Sequence, residues 1–174
     1  NPGSYDKLGE ILPLRKLGKT GRKVTMLGLG GYHVGWTTEK DAQAVIEAAI
    51  HGGIRFFDTA HSYGKGTSEE RYGKYLVPNY RDQVFIMTKS TARSGEDLQK
   101  EFELSLKRLN CDYVDLLQIH SLGSPEDVDE RMENGVVDVA QKILSSGKAK
   151  HIGFTGHSSP YAQLRLMEAL PESH

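Results

Sequence analysis

Five short apolar runs, at residues 24–29, 54–57, 84–87, 113–119 and 152–154, alternate with stretches of helical spacing, and this recurrence constrains the fold more than any other feature. A pitch of about 30 residues or a little more is that of βα units, each made of a strand, a turn and a crossover helix. Strands that read as nearly continuous apolar runs belong to a parallel sheet covered by helices. The choice is therefore between an open doubly wound sheet and a barrel.

The segments between the runs carry helix punctuation. Thr38 with Asp41, Thr67 with Glu70, Ser94 with Asp97, and Ser124-Pro125 with Asp127 have the side chains that cap helix N-termini. Ala42, Val45, Ile46, Ala49 and Ile50 then form the stripe of a helix with one buried face, stopped by Gly52-Gly53. Leu98, Phe102, Leu106 and Leu109 mark another helix, and Val136, Val137, Ala140, Ile143 and Leu144 a third, ending near Gly147. Leu164, Met167 and Leu170 predict a last stripe after Ser159-Pro160. Ahead of the first unit, residues 11–17 and 23–27 flank the turn tetrad Gly18-Lys19-Thr20-Gly21, which predicts a hairpin whose first strand Pro13 confines to an edge. With no linker or low-complexity stretch, residues 1–174 read as one domain: a tail and hairpin strand over 1–23, then βα units one to five over 24–174.

Charge and cysteine content narrow the function. Lys and Arg number 22 against 23 Asp and Glu, a net charge of -1, so no basic footprint for nucleic acid or anionic membrane exists and a small molecule is the expected partner. The single Cys111 excludes an internal disulfide, and no Cys-x-x-Cys or His-Glu-x-x-His spacing offers a metal site. No run nears the roughly 18 apolar residues of a membrane helix, and the start Asn1-Pro2-Gly3-Ser4 lacks the pattern of a secretion signal. A cytoplasmic protein is the expectation.

An open dinucleotide-binding sheet carries G-x-G-x-x-G at its first turn. Here Leu27-Gly28-Leu29-Gly30-Gly31 leads into Tyr32-His33-Val34-Gly35, out of that register, which weakens the open-sheet reading. More telling, the apolar runs end in polar residues: Asp58, Lys89, His120 and Thr155. In a barrel these ends meet on one rim, where catalytic groups sit. Singly, a strand-end Asp reads as a turn residue, a Lys as a solvated charge, a His as structural, and Tyr63 before Gly64 as a loop aromatic. An acid, a base, an imidazole and a phenol on successive units together form a set that can do chemistry.

At this point the motifs resemble a family. Gly53-Ile54-Arg55-Phe56-Phe57-Asp58-Thr59-Ala60, Ser62-Tyr63-Gly64 and Glu69 to Gly73 are similar to the first aldo-keto reductase signature. Leu106-Lys107-Arg108-Leu109 and Asp112-Tyr113-Val114-Asp115-Leu116-Leu117-Gln118-Ile119-His120 are similar to the second, and Lys89 completes the catalytic four. The resemblance implies an α/β (β/α)8 TIM barrel with an N-terminal hairpin, of which about five units lie in these residues. It implies reduction of an aldehyde or ketone, with Tyr63 as general acid, Lys89 and Asp58 as its support, and His120 orienting the carbonyl. It further implies NADPH, with NADH as the alternative, near Gly31, Tyr32, Asp58, Thr155, Gly156 and His157; Gly156-His157 departs from the family's usual Asn-aromatic pair. Tyr32, His33 and Trp36 fall where a substrate pocket would be lined.

The physics agrees with those roles. Carbonyl reduction requires a hydride on carbon and a proton on oxygen, and no side chain delivers a hydride, so the cofactor must. An ammonium beside a phenol favours loss of its proton, and a carboxylate beside the ammonium keeps it charged and in place. Two other functions fit parts of the pattern: a redox-sensing NADPH-binding regulatory subunit on the same fold, and a barrel aldolase using Lys89 as a Schiff base. A closed barrel needs eight units, so five of them alone predict an inactive fragment with open sheet edges that invite self-association.

Overall fold

In the computed structural model, which describes residues 4–170, two antiparallel hairpins precede the alternating units. The first pairs β1 (Ser4–Asp6) with β2 (Gly9–Ile11), and the second pairs β3 (Leu14–Lys16) with β4 (Lys23–Thr25). There follow β5 (Leu29–Gly30), α1 (Tyr32–Trp36), α2 (Glu39–His51), β6 (Phe56–Asp58), a 3₁₀ turn Tyr63–Gly66, α3 (Thr67–Tyr75) and α4 (Val77–Tyr80). The remaining elements are β7 (Phe85–Ser90), α5 (Gly95–Leu109), β8 (Val114–Ile119), α6 (Pro125–Glu133), α7 (Val136–Ser145), β9 (Ala149–Phe154) and α8 (Pro160–Ala169). The five strands β5 to β9 lie side by side in chain order, each parallel to the last. That is the winding of a (β/α)8 barrel, here represented by its first five units.

The outward face of the sheet and the helices share one core, in which Ile46, Phe57, Leu98, Phe102, Leu109 and Leu117 are fully buried. Each such side chain contributes roughly 1.5–3 kcal/mol by leaving water. At the amino ends of the strands the Asp115 carboxylate accepts the Ile86 N–H at 3.0 Å and pairs with Arg22 at 3.2 Å and Arg81 at 2.9 Å, closing the end opposite the rim. Among the described residues, no helix is long and apolar enough to cross a membrane.

Three caps fall where the sequence puts them: Thr38, Ser94 and Ser124 accept the N–H groups of Asp41, Asp97 and Asp127. Others do not. Thr67 is the first residue of α3, not its cap; the cap position belongs to Gly66 in the left-handed region, because the chain enters α3 directly from the 3₁₀ turn. The parallel sheet begins at Leu29 rather than Val24, since Val24 pairs with Arg15 in the hairpin and Gly28 is pressed against Phe56, where a Cβ would come within 2.8 Å. Ile11 lies in the first hairpin, on the far side of Pro13 from β3. In α8 the buried stripe is Ala162 and Leu166, with Leu164 and Met167 exposed.

Candidate active site

Strand register and the two-residue alternation of side chains assemble the site. Asp58 lies opposite Met87, and Lys89 opposite Gln118, so these four share the inner face of the sheet, and His120 follows Gln118 by one further alternation. Lys89, nearly buried, donates to three acceptors: Asp58 Oδ1 at 2.5 Å, the Thr59 carbonyl at 2.9 Å and the Tyr63 hydroxyl oxygen at 3.2 Å. Its Nζ also lies 4.6 Å from the Tyr63 ring centroid. Burial raises the Asp58 carboxyl above the usual range, although Lys89 pulls it down.

Tyr63 opens a turn that few sequences can adopt. Gly64, Lys65 and Gly66 have φ of 60°, 56° and 102°, three successive left-handed residues, and Lys65 bears that conformation without being glycine. A Cβ on Gly64 would meet the Gly35 carbonyl oxygen at 2.5 Å, so two backbones touch where α1 crosses the turn. The Tyr63 ring sits between two edges, Tyr32 at 5.4 Å and His120 at 5.9 Å between centroids.

His120 directly follows β8, nearly buried, with its backbone N–H donated to the Ser90 carbonyl and its Nδ1 lacking a partner among the described residues. Burial, followed by the charges of Lys89, His157 and Arg131, depresses the imidazole to about 4, so it is neutral near pH 7. The next residue, Ser121, is left-handed at φ 58°. Its N–H donates to Thr155 Oγ1 at 3.0 Å, while Arg131, buried and paired with Asp127, donates to the His120 and Ser121 carbonyls at 2.9 and 3.3 Å.

The remaining residues singled out by sequence gather near the same rim. Gly31 carries no side chain for a packing reason: a Cβ would come within 2.3 Å of the Asp58 carbonyl oxygen, and Ser68 donates to the Gly31 carbonyl at 2.8 Å. Tyr32, His33 and Trp36 all lie exposed on α1, with His33 and Trp36 at 5.2 and 6.3 Å from the Tyr32 ring. Gly156 abuts the Leu122 carbonyl and accepts from Gln163 at 3.1 Å, and His157 is exposed.

Sequence reading missed the supports behind these groups. Glu69 is fully buried, accepting from Thr88 at 2.6 Å and from Arg108 at 3.4 Å, and Arg108 also reaches the His61 carbonyl at 3.2 Å. Glu69 and Arg108 both stand inside the recognised motifs, but nothing in their spacing indicates that they meet. Arg131 stands in no motif; its pairing with Asp127 follows the i,i+4 spacing of a helix, but its bonds to the His120 and Ser121 carbonyls come from the chain's folding alone.

Residues 26–171 match the family described as Aldo/keto reductase family. The chain is similar to L-galactose dehydrogenase of Arabidopsis thaliana, at 36% identity over 83% of this chain and 49% of that protein. It is similar also to L-glyceraldehyde 3-phosphate reductase of Escherichia coli (strain K12), at 30% identity over 99% of this chain and 52% of the other. Among solved structures, the aldo-keto reductase of Klebsiella pneumoniae in complex with NADPH superposes with a TM-score of 0.71 at 26% identity, covering 84% of this chain and 50% of that one. The chain thus spans about half the length of these relatives.

Proposed function

The chain belongs to the aldo-keto reductase family, and from that premise we propose that its protein reduces an aldehyde or ketone to the alcohol with NADPH as reductant. The observation that carries this reading is the Lys89 ammonium held between the Asp58 carboxylate and the Tyr63 hydroxyl, at 2.5 and 3.2 Å. NADPH, when bound, supplies the hydride that adds to the carbonyl carbon. The residues present fit that cofactor. Thr155 Oγ1 accepts from Ser121 N–H, which leaves its own O–H free to donate to a carboxamide oxygen, and Gly31 and Tyr32 stand at the entry to α1, against Asp58.

The proton is the chain's own contribution. As charge builds on the carbonyl oxygen, Tyr63 transfers its hydroxyl proton to it and the O–H bond of the alcohol forms. The phenolate left behind accepts a hydrogen bond from Lys89 Nζ, whose charge Asp58 balances. Solvent returns the proton to Tyr63 after product leaves. His120, a neutral imidazole near pH 7, donates a hydrogen bond that orients the carbonyl without competing as an acid. Lys89 donates to three acceptors, the donor count of an ammonium, which disfavours a Schiff-base role. Tyr32, His33 and Trp36 would line the carbonyl's approach. The names of the two curated relatives point to small hydroxylated carbonyl compounds. NADPH oxidation over a panel of such aldehydes and ketones tests the reading: turnover that depends on Tyr63 supports it, and turnover indifferent to Tyr63→Phe rejects it.

A further inference from the structure

We propose that Arg108, acting with Glu69, is a positioning residue for the Tyr63 hydroxyl. The inference rests on Tyr63 being the proton donor of the proposed reduction. Arg108 lies in the last turn of α5, with no atom of its own in the Asp58, Lys89, Tyr63 and His120 cluster. Its guanidinium nevertheless lies beneath the turn that carries Tyr63.

Three contacts define that place. Arg108 Nη1 donates to the His61 carbonyl at 3.2 Å, approaches His61 Nδ1 at 3.3 Å and pairs with Glu69 Oε2 at 3.4 Å. A Cβ on Gly66 would meet Arg108 Cζ at 2.3 Å, so the guanidinium occupies the space that a side chain would claim at the end of the turn. On the other side of the same turn the Gly35 backbone packs against Gly64. The turn is gripped from both sides.

The grip matters because the turn does not hold its shape alone. Between two left-handed glycines, Lys65 takes a left-handed conformation that a non-glycine residue keeps only where its surroundings enforce it. Local bonds within the segment run from Tyr63 N–H to the Ala60 carbonyl at 3.1 Å, from Lys65 N–H to the Ser62 carbonyl at 3.0 Å, and from Thr67 N–H to the Gly64 and Tyr63 carbonyls, and all of them lie inside the turn, so none ties it to the rest of the fold. The His61 N–H, in turn, donates to the Lys89 carbonyl at 2.9 Å. His61 is therefore the hinge point, tied to β7 through its N–H and to α5 through its carbonyl.

Glu69 fixes Arg108 in turn. It is fully buried, and its second oxygen accepts from Thr88, the neighbour of Lys89 on the opposite face of β7. A single buried carboxylate thus links the element that carries Lys89 to the cation that braces Tyr63. The consequence is a fixed separation between the phenol and the ammonium, the quantity on which proton transfer depends. Lysine replaces the guanidinium only in part: one ammonium can follow Nη1 to His61 and Glu69, but it leaves empty the space over Gly66 that the planar Cζ, Nε and Nη2 group fills.

In a chain that carries the full eight-unit barrel, the test labels the tyrosines with ¹³C at the phenolic carbon and assigns Tyr63 by its loss in Tyr63→Phe. Arg108→Lys and Arg108→Gln are expected to move the Tyr63 resonance while Tyr72 and Tyr113 stay in place. At saturating NADPH they should lower kcat by roughly 10²-fold with KM for the carbonyl unaltered, Lys retaining more activity than Gln. Should Arg108→Gln fail to fold, Arg108→Lys and Glu69→Gln carry the same comparison. An unmoved Tyr63 resonance with wild-type kcat overturns the positioning role while Tyr63→Phe remains inactive. Wild-type turnover by Tyr63→Phe overturns the reductase reading itself, and the positioning role falls with it.

Discussion

The Lys89 ammonium approaches the Tyr63 hydroxyl to 3.2 Å and the Tyr63 ring centroid to 4.6 Å, so the cation addresses the phenol both at its oxygen and across its face. The two residues come from different βα units, one from a regular strand and the other from a strained turn, and only tertiary structure makes them neighbours.

Tyr63→Phe removes the transferable proton and keeps the ring that packs between Tyr32 and His120. Carbonyl reduction is expected to fall by about 10² to 10⁴-fold, with the thermal unfolding midpoint close to wild type. Steady-state kinetics beside a melting curve checks both halves.

Lys89→Met is expected to cost activity comparably and to change the shape of the pH-rate profile, since the charge that stabilises the phenolate is gone. It also strands the Asp58 carboxylate, which keeps no cation within bonding distance among the described residues, at a stability cost on the order of 1–3 kcal/mol. Superimposable pH-rate profiles for variant and wild type would remove Lys89 from the proton-transfer role.

His120 is expected to titrate near 4, measured by NMR of the imidazole. The unfolded imidazole takes its proton near 6.5, well before the folded one does. The unfolded state therefore binds more protons between those values. His120's contribution to stability is intact above 6.5, declines as pH falls, and is lost once pH passes about 4. Denaturant unfolding at several pH values should show this slope, and His120→Phe should flatten it.

Gly64→Ala sets a Cβ against the Gly35 carbonyl at 2.5 Å as well as forcing a left-handed alanine, whereas Gly147→Ala, at φ 76°, meets only the tip of Lys150 at 3.8 Å. The expected cost is roughly 1–2 kcal/mol for the control, from conformation alone, and more than that for Gly64→Ala. Only Gly64→Ala should also depress turnover. Equal losses in the two variants would refute the backbone contact.

These 174 residues on their own are expected to self-associate, because β5 and β9 stand at the edges of the five-stranded sheet and Met26 and Leu27 are exposed beside the first. NADPH binding should be weaker than in a chain that carries a full eight-unit barrel. Sedimentation and fluorescence titration test this; a monodisperse monomer with micromolar affinity contradicts it.

Local patterns in the sequence foretold what depends on local physics. The caps at Thr38, Ser94 and Ser124 rest on bonds to residues three further on, and the polar ends of the apolar runs rest on strand geometry. The α1 helix was hidden because Tyr32-His33-Val34-Gly35-Trp36 has neither cap nor apolar period, and its place is set by Gly35 meeting Gly64. The left-handed Lys65 and Ser121 were equally hidden, since neither residue type signals that conformation. The Glu69–Arg108 pair joins positions 39 residues apart, and no spacing rule links them.

On α1, Val34 and Gly35 are buried while Tyr32, His33 and Trp36 face outward. On the proposed reading, the backbone of this short helix serves the chemistry and its three outward aromatics serve recognition. Exchange of His33 or Trp36, each one ring removed from Tyr63 behind Tyr32, would on that reading retune which molecules enter while the phenol keeps its place, so a lineage could wander among substrates without relearning how to deliver a proton.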